Sequence, residues 1–500
     1  MGTIRDLTRF DAQLFGVNPK QAHLMDPQVR LLLETSYEAI VDAGYDPATL
    51  RGRNVGVFIG CTASESDEAF SVNTDRIDGY GLAGSNRAMF ANRITYAFDF
   101  NGPSITVDTA CSSTLSALNH AVLAMRSGQC EAAIVGGSAV CLKPAMALGY
   151  LRLGMLSPDG KCKTFDAQGN GYVRSETVGA FFVQRANQAR RIYSKVNHVK
   201  VNADGHKTTG IMVPSAKLQE KLLREVYAEA NVDPSSVRYI EAHGTGTKLG
   251  DTTELAAVTS VFCKPERAGP LKIGSVKSNL GHSEAAAGVC SLAKVILAME
   301  TGTIARNLHF NEPHPDSPSL QNGTIEVVDK PTPFPGGPVG VNSFGFGGAN
   351  AHAIVEPIPG PHVNDIPRDK QELPRLVLVA GRTKYSLEIW QLSQWLTMTG
   401  LALTMRAAMS TQEQRVRTFA KRRARRHDEP RTDASSWECM MVGYPHCGCH
   451  VLLHRTANRV APSLQFKAET AGRDVDDGSN NKSRRLHSFC KVAQIHSTNT

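Results

Sequence analysis

Apolar positions change their period along this chain, and the changes mark out elements. Asp26-Pro27 reads as a helix N-cap followed by proline at the first helical position. Leu32, Leu33, Ser36, Tyr37, Ile40 and Val41 then recur at helical spacing until Gly44 stops them. Short uninterrupted apolar runs alternate with such segments. Val55-Gly56-Val57-Phe58-Ile59-Gly60, Ala132-Ala133-Ile134-Val135-Gly136-Gly137, Tyr239-Ile240-Glu241-Ala242 and Leu271-Lys272-Ile273-Gly274 read as buried strands. Further helices are predicted over 112–127, 217–230, 251–263 and 283–300. Strands that alternate with helices predict an α/β fold with sheets covered on both faces.

This texture lasts to about residue 357. Glu356-Pro357-Ile358-Pro359-Gly360-Pro361 opens a Pro-rich stretch, and residues 358–389 read as a linker with one strand expected at Leu376–Val379. Residues 390–500 lose the periodicity and read as a poorly ordered basic tail unrelated to what precedes it. Charge supports that division. The last hundred residues hold 17 Lys and Arg against 9 Asp and Glu, which is the whole net charge of +8. The first 400 residues are neutral, and a nucleic-acid-binding surface is not expected there. The block Lys421-Arg422-Arg423-Ala424-Arg425-Arg426 reads as solvated. His446-Cys447-Gly448-Cys449-His450 packs ligands too tightly to complete a tetrahedral metal site alone, so no metal is expected.

With 500 residues, 41% hydrophobic and 20% charged, the chain has room for a large core and is not a disordered polymer. No apolar run is long enough to cross a membrane and no signal-peptide pattern opens the sequence. Asp6 breaks the myristoylation pattern that Met1-Gly2 begins. The 11 Cys lack framework spacing, which suits reduced thiols and a cytoplasmic setting.

Three short segments carry chemistry. In Val107-Asp108-Thr109-Ala110-Cys111-Ser112-Ser113, a strand-like stretch runs into a helix bearing Leu115, Leu118, Val122 and Met125 on one face, with Gly128 as its stop. Cys111 thus meets free backbone N–H groups and the positive helix end. A free thiol is mostly protonated at pH 7, and such a turn is expected to lower its pKa. A small cysteine buried under a helix would show the same local pattern. Two histidines shift the balance. Glu241-Ala242-His243-Gly244-Thr245-Gly246-Thr247 puts His243 at a strand end, ahead of a helix expected to be capped by Asp251 with Glu254 three residues on. Lys277-Ser278-Asn279-Leu280-Gly281-His282 puts His282 before another helix, with Ser283 as the expected cap. All three residues sit at strand-to-helix turns, where α/β folds build sites. A fourth segment, Asn342-Ser343-Phe344-Gly345-Phe346-Gly347-Gly348-Ala349-Asn350, lets backbone N–H groups approach a ligand, and one could join that of Cys111 in an oxyanion hole.

In these motifs, and in their order and separation, residues 1–357 resemble the β-ketoacyl synthase family of the thiolase superfamily. Leu151-Arg152-Leu153-Gly154-Met155-Leu156-Ser157-Pro158-Asp159-Gly160 and Gly169-Asn170-Gly171-Tyr172 look like the condensing domain of an animal-type fatty acid synthase, and less like a modular polyketide synthase. The resemblance implies a thiolase-like five-layered αβαβα fold of two similar halves, here 1–205 and 206–357, in a homodimer. It implies Cys111 as the acyl-accepting nucleophile, with His243 and His282 acting in decarboxylation and condensation. Lys277 would support His282, Phe346 would supply the second oxyanion N–H, and Phe344 would belong to the loop gating the acyl channel. The expected activity is acyl transfer from an acyl carrier protein to Cys111, then condensation with a malonyl thioester. Substrates would arrive on the carrier's phosphopantetheine, with no cofactor bound by this chain.

Two departures carry expectations of their own. Ile4-Arg5-Asp6-Leu7-Thr8-Arg9-Phe10-Asp11 matches an internal part of the family, so the N-terminal half is expected to lack its first strand. Beyond about residue 390 the resemblance stops, and no Gly-x-Ser-x-Gly elbow of an acyltransferase follows. A polyketide programme, a catalytically inactive truncated fragment and a cysteine hydrolase are the readings left beside a fatty acid synthase component.

Overall fold

A computed structural model describes residues 2–67 and 78–358, together with the backbone of four three-residue strands beyond them. Two sheets organise the first unit. Strands β1 (Val55–Cys61), β2 (Ser104–Val107), β3 (Ala132–Ala139) and β4 (Thr177–Gln184) form a sheet of order β2-β1-β3-β4. Its first three strands are parallel and β4 is antiparallel. The second sheet contains β5 (Ser194–Ala203), β6 (Tyr239–Glu241), β7 (Leu271–Gly274), β9 (Ile325–Val327), β11 (Val339–Phe344) and β12 (Ala349–Pro357). Its order is β5-β12-β11-β6-β7-β9, while β8 (Thr303–Ile304) and β10 (Thr332–Pro333) make a separate two-stranded ribbon.

The two orders superpose as a duplication: β7, β6, β11 and β12 repeat β2, β1, β3 and β4. Chain direction agrees, since β12 is antiparallel to β11 as β4 is to β3. The second half adds β5 along β12, antiparallel to it. Nothing among the described strands takes that place along β4. A strand in the place of β5 would thus lie at the edge of the first sheet, beside β4. Because β5 pairs in the second sheet, the second half begins before residue 206.

Core composition explains the layers. Val29, Leu32, Leu33 and Ile40 of helix Pro27–Asp42, with Phe90 and Ile94 of helix Ala88–Phe98, pack on Val57 and Ile59 of β1. Leu115, Leu118 and Ala121 of helix Ser113–Arg126, with Leu292 and Val295 of helix Ala287–Thr301, lie between Phe58 and Val135 of one sheet and Val339 and Val341 of the other. Leu222 and Val226 of helix Ala216–Ala230, with Leu255 and Val258 of helix Lys248–Phe262, cover the far face of the second sheet. Helix, sheet, helix, sheet, helix is the five-layered αβαβα order. The two central helices are buried on nearly every side, as helices between two sheets must be.

Asp26 caps its helix as expected, accepting from the Gln28 N–H. The other two expected caps are corrected. Helix Lys248–Phe262 starts after Thr247, so Asp251 lies inside its first turn. Ser283 makes no side-chain cap, and its hydroxyl faces Cys290 Sγ instead. In the second unit, Arg375–Val377 pairs antiparallel with Leu452–His454, and Val379–Gly381 with Glu438–Met440. The expected strand at Leu376–Val379 is thus shared between two strands. The rest of the predicted linker and tail, including the basic block and the His/Cys cluster, lies outside the described residues.

Candidate active site

The turn that carries Cys111 is locked from four sides. Ala110 takes a left-handed conformation, φ 52°, rare for a residue with a side chain. Its N–H donates to Asp108 and its carbonyl accepts from the Ser113 hydroxyl. The Thr109 N–H donates to Ser113 Oγ, and the Ser343 hydroxyl donates to the Cys111 carbonyl from β11. The left-handed step turns the chain from β2 into helix Ser113–Arg126 and leaves the cysteine at its head.

His282 Nε2 lies 3.0 Å from Cys111 Sγ. The His243 and His282 rings meet edge to face, 5.5 Å between centroids. Within the described residues, the sulfur and one nitrogen of each ring lie within 4.8 Å of one another. Residues 132 and 171 positions away from the cysteine in sequence therefore converge on it. Lys277 is buried, and its Nζ has no hydrogen-bond partner among the described residues. Its charge reaches both rings and the sulfur.

Electrostatics follow from burial. Both imidazoles are held well below the ordinary histidine pKa, first by desolvation and then by Lys277. They are neutral at pH 7. The Glu284 N–H donates to His282 Nδ1 at 3.2 Å, so that ring carries its proton on Nε2, toward Cys111. Cys111 keeps some exposed surface, yet protein packed around its sulfur pushes the thiol up to about 11. This corrects the expected lowering. The N–H groups of Phe346 and of Cys111 itself do favour the thiolate, and Lys277 helps, but desolvation outweighs them.

Both backbone donors anticipated for an oxyanion hole thus face the same sulfur. The Phe346 side chain is exposed, whereas Phe344 ends β11 as a buried residue with its ring 5.9 Å from that of His243. A cysteine and two histidines at this spacing also invite a metal. The surroundings of the rings argue otherwise: a ligating histidine donates its other N–H to an acceptor, whereas His282 Nδ1 already accepts from a backbone N–H. The donor set fits hydrogen-bond donation better than ligation.

Five supporting residues carry no sequence signal for the roles the structure gives them. Glu254 accepts from the N–H groups of His243 and Gly244 and from the Asn342 side chain. Asp251 accepts from Phe165 and Gly246. Together they shape the turn behind His243 instead of forming a capping box. Arg174 bridges Glu65 and Glu284.

Family models agree with this arrangement. Residues 1–189 match the β-ketoacyl synthase N-terminal domain and 193–311 its C-terminal domain. The chain belongs to the β-ketoacyl synthase family. Residues 313–420 further match the ketoacyl-synthetase C-terminal extension. A fatty acid synthase of Anser anser anser is 51% identical over 301 residues, which is 60% of this chain and 85% of that sequence. A phenolphthiocerol/phthiocerol polyketide synthase of Mycobacterium tuberculosis (strain CDC 1551 / Oshkosh) is 41% identical over 408 residues, 79% of this chain but 22% of that sequence. Among solved structures, the ketosynthase from module 6 of the bacillaene synthase from Bacillus subtilis 168 is similar, with a TM-score of 0.70 and 34% identity. That similarity covers 79% of this chain and 68% of the other. The β-ketoacyl synthase is thus an acyltransferase of the condensing type with a thiolase-like fold.

Proposed function

We propose that this β-ketoacyl synthase extends a fatty acyl chain by two carbons, using Cys111 as acyl carrier and His243 and His282 as donors to the condensing thioester. The 3.0 Å approach of His282 Nε2 to Cys111 Sγ, with His243 beside it, is the observation that carries the reading.

In the first half-reaction the Cys111 thiol attacks an acyl thioester on the phosphopantetheine of an acyl carrier protein. The carbonyl oxygen charge is held by the N–H groups of Cys111 and Phe346, a device in which one donor is worth roughly 3–4 kcal/mol. The carrier thiol leaves with the proton, so one thioester is exchanged for another. In the second half-reaction a malonyl thioester loses CO2. The electron pair of the broken bond becomes an enolate, which attacks the acyl carbon and releases Cys111 as thiolate. One proton from solvent restores the thiol. Enolate oxygen charge needs donors, and neutral imidazoles with Nε2–H suit it. Burial keeps both rings unprotonated, and the charge of Lys277 adds to it. Phe344, packed on His243, is placed to gate the acyl channel.

The reading needs no cofactor or metal held by this chain. It places the protein in the cytoplasm, with the carrier protein as partner. None of the described helices is long and apolar enough to cross a membrane. A homodimer fits the edge strand β2, which pairs only with β1 among the described strands and exposes Ile105.

Intact mass spectrometry with an acyl thioester tests the reading. A mass gain of one acyl group, absent in Cys111→Ala, is expected. His243→Ala and His282→Ala should lose malonyl decarboxylation while retaining some acylation. A folded protein that never acquires the acyl group sinks the reading, and net thioester hydrolysis would indicate a cysteine hydrolase. The polyketide alternative rests on the 41% identity to the mycobacterial enzyme, and product analysis separates the two programmes.

A further inference from the structure

One strained residue sits beside the site for a reason its own position does not supply. Glu284 has φ 46°, in the left-handed region, without being a glycine. Such a conformation is strained and persists only where surroundings enforce it. Its backbone N–H donates to His282 Nδ1 at 3.2 Å. The Glu284 carboxylate is held by Arg174. Its Nε donates to Glu284 Oε1 at 2.6 Å and its Nη2 to Oε2 at 3.3 Å, a two-point grip. The same Nη2 donates to Glu65 Oε1 at 2.9 Å, and the other oxygen of Glu65 accepts the N–H groups of Leu142 and Lys143. All three side chains are nearly withdrawn from solvent: 7% exposed for Arg174, 5% for Glu65 and 12% for Glu284.

The main chain on either side of Arg174 holds His282 as well. The His282 N–H donates to the Val173 carbonyl, and the Ser175 N–H donates to that of His282. One three-residue segment therefore grips His282 by its backbone and, through Glu284, by the unprotonated nitrogen of its ring. The Tyr172 ring meets the imidazole edge-on at 5.0 Å, which sets its plane.

We propose that Arg174, anchored by Glu65, is a positioning residue that holds Glu284 in the conformation aiming its N–H at His282 Nδ1, and so keeps the proton of that ring on Nε2 facing Cys111. Without the grip, Glu284 relaxes to a right-handed or extended backbone and its N–H turns away. Nδ1 then becomes free to take the proton. A ring protonated on Nδ1 presents a lone pair to the substrate oxygen, which repels an enolate instead of binding it. The inference rests on the condensing role of His282.

The test compares the wild type with Arg174→Gln and Arg174→Gln/Glu284→Gly. Glycine adopts positive φ without a guanidinium to enforce it and keeps the N–H. Two readouts are taken: the 15N spectrum of histidine-labelled protein, with His282 assigned by its loss in His282→Ala, and decarboxylation of malonyl-pantetheine alongside acylation of Cys111. Expected for the wild type is a single Nε2–H tautomer. Arg174→Gln should show the Nδ1–H form and lose decarboxylation on the order of 10–100-fold, with a smaller loss of acylation. The double variant should recover the tautomer and most of the rate. An unchanged tautomer in folded Arg174→Gln, or no recovery in the double variant, overturns the proposal. Should Arg174→Gln fail to fold, Glu65→Gln loosens the anchor without stranding a charge, and an Nε2–H form unmoved there overturns it equally. A wild type that shows the tautomer yet decarboxylates nothing overturns the condensing reading and leaves the clamp standing.

Discussion

A thiol pushed up to about 11 is almost wholly protonated at pH 7, so the proposed role of Cys111 requires its thiolate to form as the substrate arrives. The prediction at this scale concerns its reactivity. Alkylation of Cys111 by iodoacetamide, followed by peptide mass spectrometry, should accelerate about tenfold per pH unit from 7 to 9 without levelling. A plateau near pH 7 would mean a stabilised thiolate and would contradict the dominance of desolvation. Legibility also divides at this scale. Cys111, His243, His282 and Lys277 are readable because each occupies a turn whose neighbours announce it. Asp251 and Glu254 mislead, since an acid near a helix start looks like a cap whether it binds the first turn of its own helix or, as here, N–H groups of the preceding turn and of the loop at Phe165. Arg174 and Glu65 give no signal, because their meaning lies in contacts across 109 and 110 positions of sequence.

Among the elements, helix Ser113–Arg126 is the one on which the site depends, and small residues on three neighbours let it sit where it does. A methyl group on Gly60 of β1 would lie 2.7 Å from the Thr114 nitrogen and 2.8 Å from the Ser113 carbonyl carbon. One on Gly137 of β3 would run into Thr114 Oγ1, and one on Gly288 would lie 2.9 Å from Thr114 Cβ. Thr114 is also bonded across the halves, its hydroxyl donating to the Ala285 carbonyl at 2.6 Å. Gly60→Ala strikes main chain, which cannot swing aside, so the helix head must shift. The expected cost is about 1–3 kcal/mol, with slower acylation because Cys111 lies just ahead of the displaced turn. Gly149→Ala is the control: it meets nothing within 4 Å inside helix Pro144–Arg152 and should stabilise by up to about 1 kcal/mol. Denaturant titration and acylation rates check both, and equal effects from the two would remove the close-packing argument. The same element scale shows why some strands escape a reading of the sequence. Every residue of β4 is half-buried, so Thr177–Gln184 shows neither a core run nor a clean alternation. By contrast β1, buried throughout, is legible to within a residue.

Across the whole molecule, the layers close over three imidazoles at once. His243 and His282 are held well below their ordinary pKa, and His352, bonded to Asn342 and near Tyr227, is pushed down to about 3, in each case chiefly by burial. Unfolding releases all three to a pKa of about 6.5. The sign follows from proton counting: a group whose folded pKa is depressed leaves the unfolded chain holding more protons, so stability rises with pH across the interval between the two values. For these histidines the stabilisation is fully present above about pH 6.5 and drains away as pH falls below it. Each contributes a slope of about 1.4 kcal/mol per pH unit once well below that value, and three acting together give about 4. Against a total margin of about 5–15 kcal/mol, about one to four units of acidification below that value suffice to unfold the protein. Urea titrations at pH 7.0, 6.0 and 5.0 should therefore show steeply falling stability with an uptake approaching three protons. His243→Ala should cut the uptake by about one. An uptake near zero would mean that the imidazoles are already charged in the folded state, which would also remove the neutral N–H donors that the condensation chemistry requires.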